Sequence, residues 1–109
     1  MMYYDFEAGN KTYKLRINTR NIIQLEKALG CNPLGIFGDG ETVPTITVMV
    51  TVLQAALQQY HHGITLNDAY DIFDDYIADG NTAINFVNVI LEIYKVSGLV
   101  PKEVETEKN

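Results

Sequence analysis

The sequence predicts an α+β fold that is mostly α, with an N-terminal β-hairpin packed on about four helices. Residues on either side of Gly9-Asn10 alternate between apolar and polar, which is typical of a half-buried hairpin. Four later segments have the lengths and capping residues of helices. A chain of 109 residues has room for one domain. We expect that domain over 1–98, with the hairpin over 2–17, helices over 20–98, and a flexible charged tail over 99–109.

The hairpin pattern also predicts a register. Gly9-Asn10 suits a two-residue loop in which Gly supplies positive φ at the first position. Pairing Ala8 with Lys11 collects apolar pairs on one face: Phe6 with Tyr13, Tyr4 with Leu15, and Met2 with Ile17. The other face pairs Glu7 with Thr12, Asp5 with Lys14, and Tyr3 with Arg16, the last as a cation–π pair. Because two strands alone are marginally stable, the apolar face must pack on the helices.

The first helix is predicted from about Arg20 to Leu29, with Thr19 as its N-cap and Gly30 as its stop. Its apolar seam comprises Ile22, Leu25 or Glu26, and Leu29, widened by Ile23. Cys31 is the only cysteine, which excludes an internal disulfide, and we interpret it as a small packed residue.

Pro33 opens a short turn. A loop follows over 38–44; Asp39-Gly40 within it could instead form a second hairpin turn, with residues 36–37 and 42–43 as short strands.

The segment from Thr45 to Tyr60 is ambiguous. Its β-branched residues between Thr47 and Val52 favour a strand, whereas 54–59 favours a helix. Sixteen residues exceed an ordinary strand, so we predict a helix capped by Thr45 and ended by Gly63.

Two further helices complete the domain. Thr65 with Asp68 opens one that reaches about Asp79, with an inner stripe of Leu66, Ala69, Tyr70, Phe73, Tyr76 and Ile77. Asp68, Asp71, Asp75 and Asp79 form its outer face. Thr82 caps the last helix, which runs through Val96 and stops at Gly98.

Composition excludes several function classes. The net charge of −6 argues against binding of nucleic acid, which needs clustered Lys and Arg. Residues 1–27 carry five basic and three acidic side chains, and the rest carries three basic and eleven acidic. This asymmetry could orient self-association, although a solvated acidic face is the commoner explanation. No segment has the pattern of a signal peptide or a membrane span, so we expect a cytoplasmic protein with no membrane partner.

Two clusters could carry chemistry. His61-His62 lacks the i, i+4 spacing with which two histidines bind one metal, and its position suits the negative end of the preceding helix; partner contact is the alternative. Asp71, Asp74, Asp75 and Asp79 have spacings that could hold a cation, but a solvated face or a contact with a basic partner is favoured. A metal-dependent enzyme using this helix is the least favoured hypothesis. No nucleophile elbow surrounds Ser97, and no phosphate loop occurs, so we expect no enzyme and no cofactor.

A stretch without charged residues is the most informative feature. Residues 42–67 contain no Asp, Glu, Lys or Arg. A helix without a polar face must be enclosed by its own domain or by another chain. We expect this small domain to be unable to hide it, which predicts contact with a partner. The predicted partner-binding residues are Ile46, Met49, Val50, Leu53, Leu57 and Tyr60.

The ordered pattern of segments resembles the tail assembly chaperones of long-tailed bacteriophages, especially those of phages and prophages of Gram-positive hosts. The resemblance covers most of the chain and includes no catalytic signature. It is carried by Tyr13-Lys14-Leu15-Arg16 with Thr19-Arg20, Leu25-Glu26-Lys27-Ala28-Leu29-Gly30, Asn32-Pro33-Leu34, Gln58-Gln59-Tyr60-His61-His62-Gly63-Ile64, Tyr70-Asp71, and Val96-Ser97-Gly98 with Pro101.

The resemblance implies a non-enzymatic, homo-oligomeric chaperone that binds the tape measure protein and recruits tail tube subunits. It would act in the host bacterial cytoplasm during virion morphogenesis and be absent from the mature virion. Family members are often also made in a longer, frameshifted form, and codons for Lys108-Asn109 could supply the slippery run of adenines. A structural virion protein, such as a head–tail connector or tail completion subunit, is the alternative.

Overall fold

The computed structural model describes residues 2–36 and 43–101, and it has the predicted α+β architecture. A two-stranded antiparallel sheet is followed by four helices, with a short 3-10 turn over Pro33–Gly35 between the first and the second helix. The elements are β1 (Tyr4–Ala8), β2 (Lys11–Leu15), α1 (Thr19–Leu29), α2 (Ile46–Leu57), α3 (Leu66–Ala78) and α4 (Ala83–Val96). Within the described ranges, no helix is long and apolar enough to cross a membrane.

The hairpin has the predicted register. Ala8 pairs with Lys11, and the ladder continues to Tyr4 with Leu15. Gly9 and Asn10 have φ values of 58° and 67°, so both loop residues are left-handed rather than Gly9 alone. This is the two-residue turn whose twist matches that of the strands, and Asn tolerates the second position.

Two details of the predicted hairpin are wrong. The ladder ends at Tyr4 and Leu15 rather than extending over 2–17, and Met2 is exposed. The cation above the Tyr3 ring belongs to Lys14, whose Nζ lies 5.0 Å from the ring centroid. Arg16 instead donates to the carbonyl oxygens of Met2 and Val96, at 2.9 and 2.6 Å. Val96 is the last residue of α4, and its carbonyl has no partner within the helix, so the guanidinium group satisfies it.

Helix α1 differs from the prediction at its start. Asn18 is the N-cap: its side chain accepts a hydrogen bond from the N–H of Asn21 at 2.9 Å, and Thr19 is the first helical residue. Gly30 ends the helix in a left-handed conformation, as predicted. The seam is narrower than expected, because Leu25 is buried but Ile23 is exposed. Cys31 is exposed, which corrects its interpretation as a packed residue.

The segment after Pro44 is a helix, as its length predicted. Thr45 caps α2 by accepting from the N–H of Val48 at 3.2 Å. The helix ends at Leu57, well before Gly63. Gln58 is the C-cap residue, and its side-chain amide donates to the carbonyl oxygens of Gln54 and Ile64 at 3.0 and 2.8 Å. These bonds satisfy backbone acceptors around the turn.

Helix α2 is enclosed by its own domain, contrary to the expectation that the chain could not hide it. It contacts α1, α3, α4 and β2. Four of the six predicted partner-binding residues therefore lie in the core with exposed fractions of 3% or less: Met49, Val50, Leu53 and Leu57. The prediction underestimated how much apolar surface the hairpin and α4 supply. Phe6, Leu15, Ile17, Phe86, Ile90 and Ile93 belong to the same core.

The last two helices begin where predicted. Thr65 with Asp68 and Thr82 with Asn85 form capping boxes, with each side chain bonded to the other residue's N–H. The inner stripe of α3 is partly wrong. Ala69, Ile72, Phe73 and Tyr76 are buried, whereas Leu66, Tyr70 and Ile77 are exposed.

The C-terminal part of the described chain packs further than predicted. Leu99 and Val100 lie against the core, and the N–H of Leu99 donates to the carbonyl oxygen of Tyr94 at 2.9 Å. The core therefore extends past residue 98. The rest of the predicted tail, including Lys108-Asn109, and the predicted Asp39-Gly40 turn lie outside the described residues.

Burial of α2 can be tested with two substitutions on the same helix. We expect Leu53→Ala to lower the free energy of unfolding by about 2–5 kcal/mol, because Leu53 is fully buried and truncation leaves a cavity. Ile46→Ala, at a side chain that is 49% exposed, should cost less than about 1 kcal/mol. Urea denaturation of both variants measures the difference. Equal, small losses would show that Leu53 is not core.

Candidate protein-binding surface

Three large apolar side chains form an exposed stripe along α3. Leu66, Tyr70 and Ile77 are 40%, 48% and 38% exposed. At about 100° per residue they project within about 40° of one another, and they span about 16 Å of the helix. Scattered exposed apolar residues are ordinary, but a row on one helix face is typical of a surface that receives another protein. We call these three residues the α3 stripe.

Carboxylates border the α3 stripe on its solvent side. Asp74 follows it directly around the helix, and Asp71 lies one step further. Both are exposed. No ion pair reaches either of them within the described part of the chain, where Lys95 with Glu92 is the one pair. The α3 stripe therefore has an acidic margin with unpaired charges.

The other acidic residues of α3 have structural partners. Asp68 completes the capping box with Thr65, and hydrogen bonds from the backbone and side chain of Thr65 hold the pKa of its carboxyl below the usual value. Asp79 accepts a hydrogen bond from the N–H of Gly9 at 2.9 Å. Asp75 lies beside the same turn. It is so close to Gly9 that the Cβ atom of any other residue at position 9 would come within 2.7 Å of the Asp75 Oδ2 atom. Two of the four residues of the predicted outer face, Asp75 and Asp79, therefore lie against the hairpin turn.

The two histidines have separate environments. The Nε2 atom of His61 accepts a hydrogen bond from the N–H of Lys14 at 2.9 Å, and its ring packs edge-on against Tyr13. Burial, then the nearby Lys14 charge, lowers the pKa of His61. The predicted role of a positive charge at the helix end is therefore wrong for His61, since its contact requires the neutral ring. His62 is exposed.

The two remaining predicted partner-binding residues are accessible. Ile46 is at the start of α2 and is exposed. Tyr60 is 37% exposed, and its ring lies 5.5 Å from that of Tyr3, with the Nζ of Lys14 6.0 Å from its centroid. The structure thus places Tyr60 in an aromatic group on the outer hairpin face, apart from the buried residues predicted with it.

No metal centre is assembled by the residues that the structure describes. In residues 2–36 and 43–101, no three His, Cys, Asp or Glu side chains converge on one point. The hydroxyl of Ser97 accepts from the N–H of Ile17 at 2.9 Å, which ties α4 to the end of the hairpin. Asp39 and Glu41 lie outside the described residues.

The α3 stripe was missed because its members were assigned to the core. The helix has more apolar residues than one inward face can hold, and Ile72 takes an inner position instead. The sequence pattern that could have identified the stripe is the presence of two apolar rows on one helix. The row with Ala69 and Tyr76 faces inward, and the row with Tyr70 and Ile77 does not.

The contact between the hairpin turn and α3 predicts a stability effect. We expect Asp79→Ala to lower the free energy of unfolding by about 0.5–1 kcal/mol, because the N–H of Gly9 loses its acceptor. Asp71→Ala is the control, since Asp71 is exposed and forms no ion pair within the described residues, and it should leave stability within about 0.5 kcal/mol. Thermal denaturation of both variants tests this; equal stabilities would contradict it.

The lowered pKa of His61 predicts a pH effect. The unfolded chain, with an ordinary pKa of 6.5, binds a proton more readily than the folded chain. The stabilisation is therefore complete above about pH 6.5 and is lost as the pH falls towards the lowered value. His61→Gln should reduce the loss of unfolding free energy between pH 7.5 and 5.5, and His62→Gln should preserve it. Urea denaturation at both pH values measures this loss. If His61→Gln loses as much unfolding free energy as the wild-type chain, His61 is not the group responsible.

Comparison with known proteins finds a matching family model. The model of a family described as a family of unknown function (DUF6096) matches residues 5–109. No curated protein matches the chain, and no solved structure does.

Proposed function

The chain belongs to the DUF6096 family, whose function is unknown, and we propose that it is a non-enzymatic phage tail assembly chaperone. In this proposal it binds the tape measure protein and recruits tail tube subunits in the cytoplasm of the bacterial host. It acts as a homo-oligomer and leaves before the virion is complete. The resemblance described above supplies these partners, and the surface of the chain supplies the way of binding.

The α3 stripe is the observation that carries the proposal. Tyr70 and Ile77 offer apolar area on a rigid helix, and Asp71 with Asp74 line one side of it. A helix that lays an apolar row on this stripe and directs Lys or Arg towards the margin would bury the exposed area and pair the charges. The occupant we propose is such an amphipathic, basic helix of the tape measure protein.

The rigidity of α3 supports this assignment. A capping box fixes its start, and Asp79 at its other end accepts a hydrogen bond from the N–H of Gly9 in the hairpin turn. Its inner row packs Phe73 and Tyr76 against Phe6 and Phe86, with ring centroids 5.0 to 5.6 Å apart. A preorganised surface loses little entropy on binding, which favours a transient carrier of long helical clients.

Co-expression with the tape measure protein encoded in the same genome tests the proposal. We expect the wild-type chain to keep that protein soluble and to be recovered with it. Tyr70→Asp combined with Ile77→Asp should abolish recovery, because the charges prevent burial of the stripe. The control is Ile23→Asp, at an exposed apolar position of α1. Circular dichroism of each variant checks that it is folded.

Two outcomes would contradict the proposal. Equal recovery of the stripe variant and the control would remove the α3 stripe as the binding site. Detection of the chain by mass spectrometry in purified virions would contradict the assembly role and favour a connector or tail completion subunit. Charged substitutions at Met49 or Leu53 are unsuitable as tests, because both side chains lie in the core.

A further inference from the structure

The outer edge of β2 is covered by the end of α2. The N–H of Arg16 donates to the carbonyl oxygen of Ala56 at 3.0 Å. The N–H of Lys14 donates to Nε2 of His61 at 2.9 Å. Both residues therefore direct their backbone away from β1, in agreement with a ladder whose hydrogen-bonded pairs are those of Tyr4, Phe6 and Ala8.

Within the part of the chain that the structure describes, the outer edge of β1 is open. Asp5 and Glu7 lie opposite Lys14 and Thr12, so their N–H and C=O groups point away from β2. Within residues 2–36 and 43–101, no hydrogen bond outside the ladder reaches these groups. An uncovered edge can accept another strand.

There is space for a strand beside this edge. A hollow of about 320 Å³ lies along β1 and is lined by Tyr4, Asp5, Phe6, Glu7, Tyr76, Asn81 and Val89. A second hollow of about 570 Å³ shares Glu7 and Asn81 and continues to the hairpin turn. An extended segment of five residues, about 17 Å long, matches the length of β1. Alternate side chains of such a segment would face Tyr76 and Val89.

The negative charges on the outer edge of β1 favour a basic binding partner. The carboxylates of Asp5 and Glu7 are exposed and form no ion pair within the described residues. Lys14, the register partner of Asp5, lies over Tyr3 instead. A second copy of β1 would bring like charges together across the new ladder, which is unfavourable, whereas a segment with Lys or Arg at alternate positions would pair with them.

We propose that the free edge of β1 binds an extended basic segment of a partner protein by strand addition. The segment forms backbone hydrogen bonds with Asp5 and Glu7, directs its basic side chains to their carboxylates, and places its alternate apolar side chains in the hollow beside Tyr76. This site is separate from the α3 stripe and does not depend on the function proposed for it.

Peptide titration of the full ¹⁵N-labelled chain tests the site. The probe is a capped octapeptide of alternating Lys and Val. We expect its largest amide shifts at Asp5 and Glu7, and no binding by the same peptide N-methylated at alternate residues, since N-methyl groups cannot join a ladder. Asp5→Lys with Glu7→Lys should weaken binding about tenfold or more and should create binding of the alternating Glu and Val peptide.

The matched control is Asp71→Lys with Asp74→Lys, which changes the net charge equally on α3. It should keep both the shift pattern and the affinity within about twofold. Binding that is equally weakened by this control, or shifts centred on α3, would overturn the proposal. So would shifts at Asp5 and Glu7 that depend on protein concentration without peptide, because a second copy would then occupy the edge. Stripe variants that lose the tape measure protein but retain peptide binding would separate this site from the proposed function.

Discussion

Helix α2 carries no charged side chain, and its enclosure determines where the other elements lie. Apolar transfer from water is worth about 25 cal/mol per Å², so a helix buried on most of its sides dominates the stability of a small domain. Seven of its twelve residues are buried. The hairpin supplies Leu15 and Ile17 to the same core, and α4 supplies Phe86 and Ile90. Each neighbouring element has one strongly apolar face because α2 needs a cover on several sides.

The enclosure also explains the uncharged polar residues near the end of α2. Backbone groups at a helix end require partners, and charged side chains there would be costly to bury. Gln54 and Gln58 bind the carbonyl oxygen of Ile64, and neutral His61 binds the N–H of Lys14. The amides of Gln54 and Gln58 thus fix the turn after α2, and the imidazole of His61 covers the outer edge of β2. The same arrangement does not reach the other edge of the sheet, so the two edges differ for a physical reason.

Local signals predicted much of the fold, and tertiary partners account for the errors. Gly9-Asn10 and its flanking pattern predicted the register residue by residue, because period-two alternation allows one pairing. Thr45, Thr65 and Thr82 predicted helix starts, since capping depends on neighbours in sequence. Whether Met49 faced the core or a partner depended on surface supplied by distant segments, and periodicity does not report that. The α3 stripe was missed for the same reason, and Asp79 was assigned to solvent because its partner lies 70 residues away.

The ties between the hairpin and α4 have a consequence for biosynthesis. Arg16 reaches Val96 and Ile17 reaches Ser97, each across 80 positions of the chain. On the ribosome the hairpin emerges long before Val96 and Ser97 do. Its apolar face therefore remains exposed to water until α4 has left the exit tunnel. Contacts between such distant segments slow folding and prolong the life of sticky intermediates. These contacts between the hairpin and α4 can therefore form only after residue 97 has been synthesised.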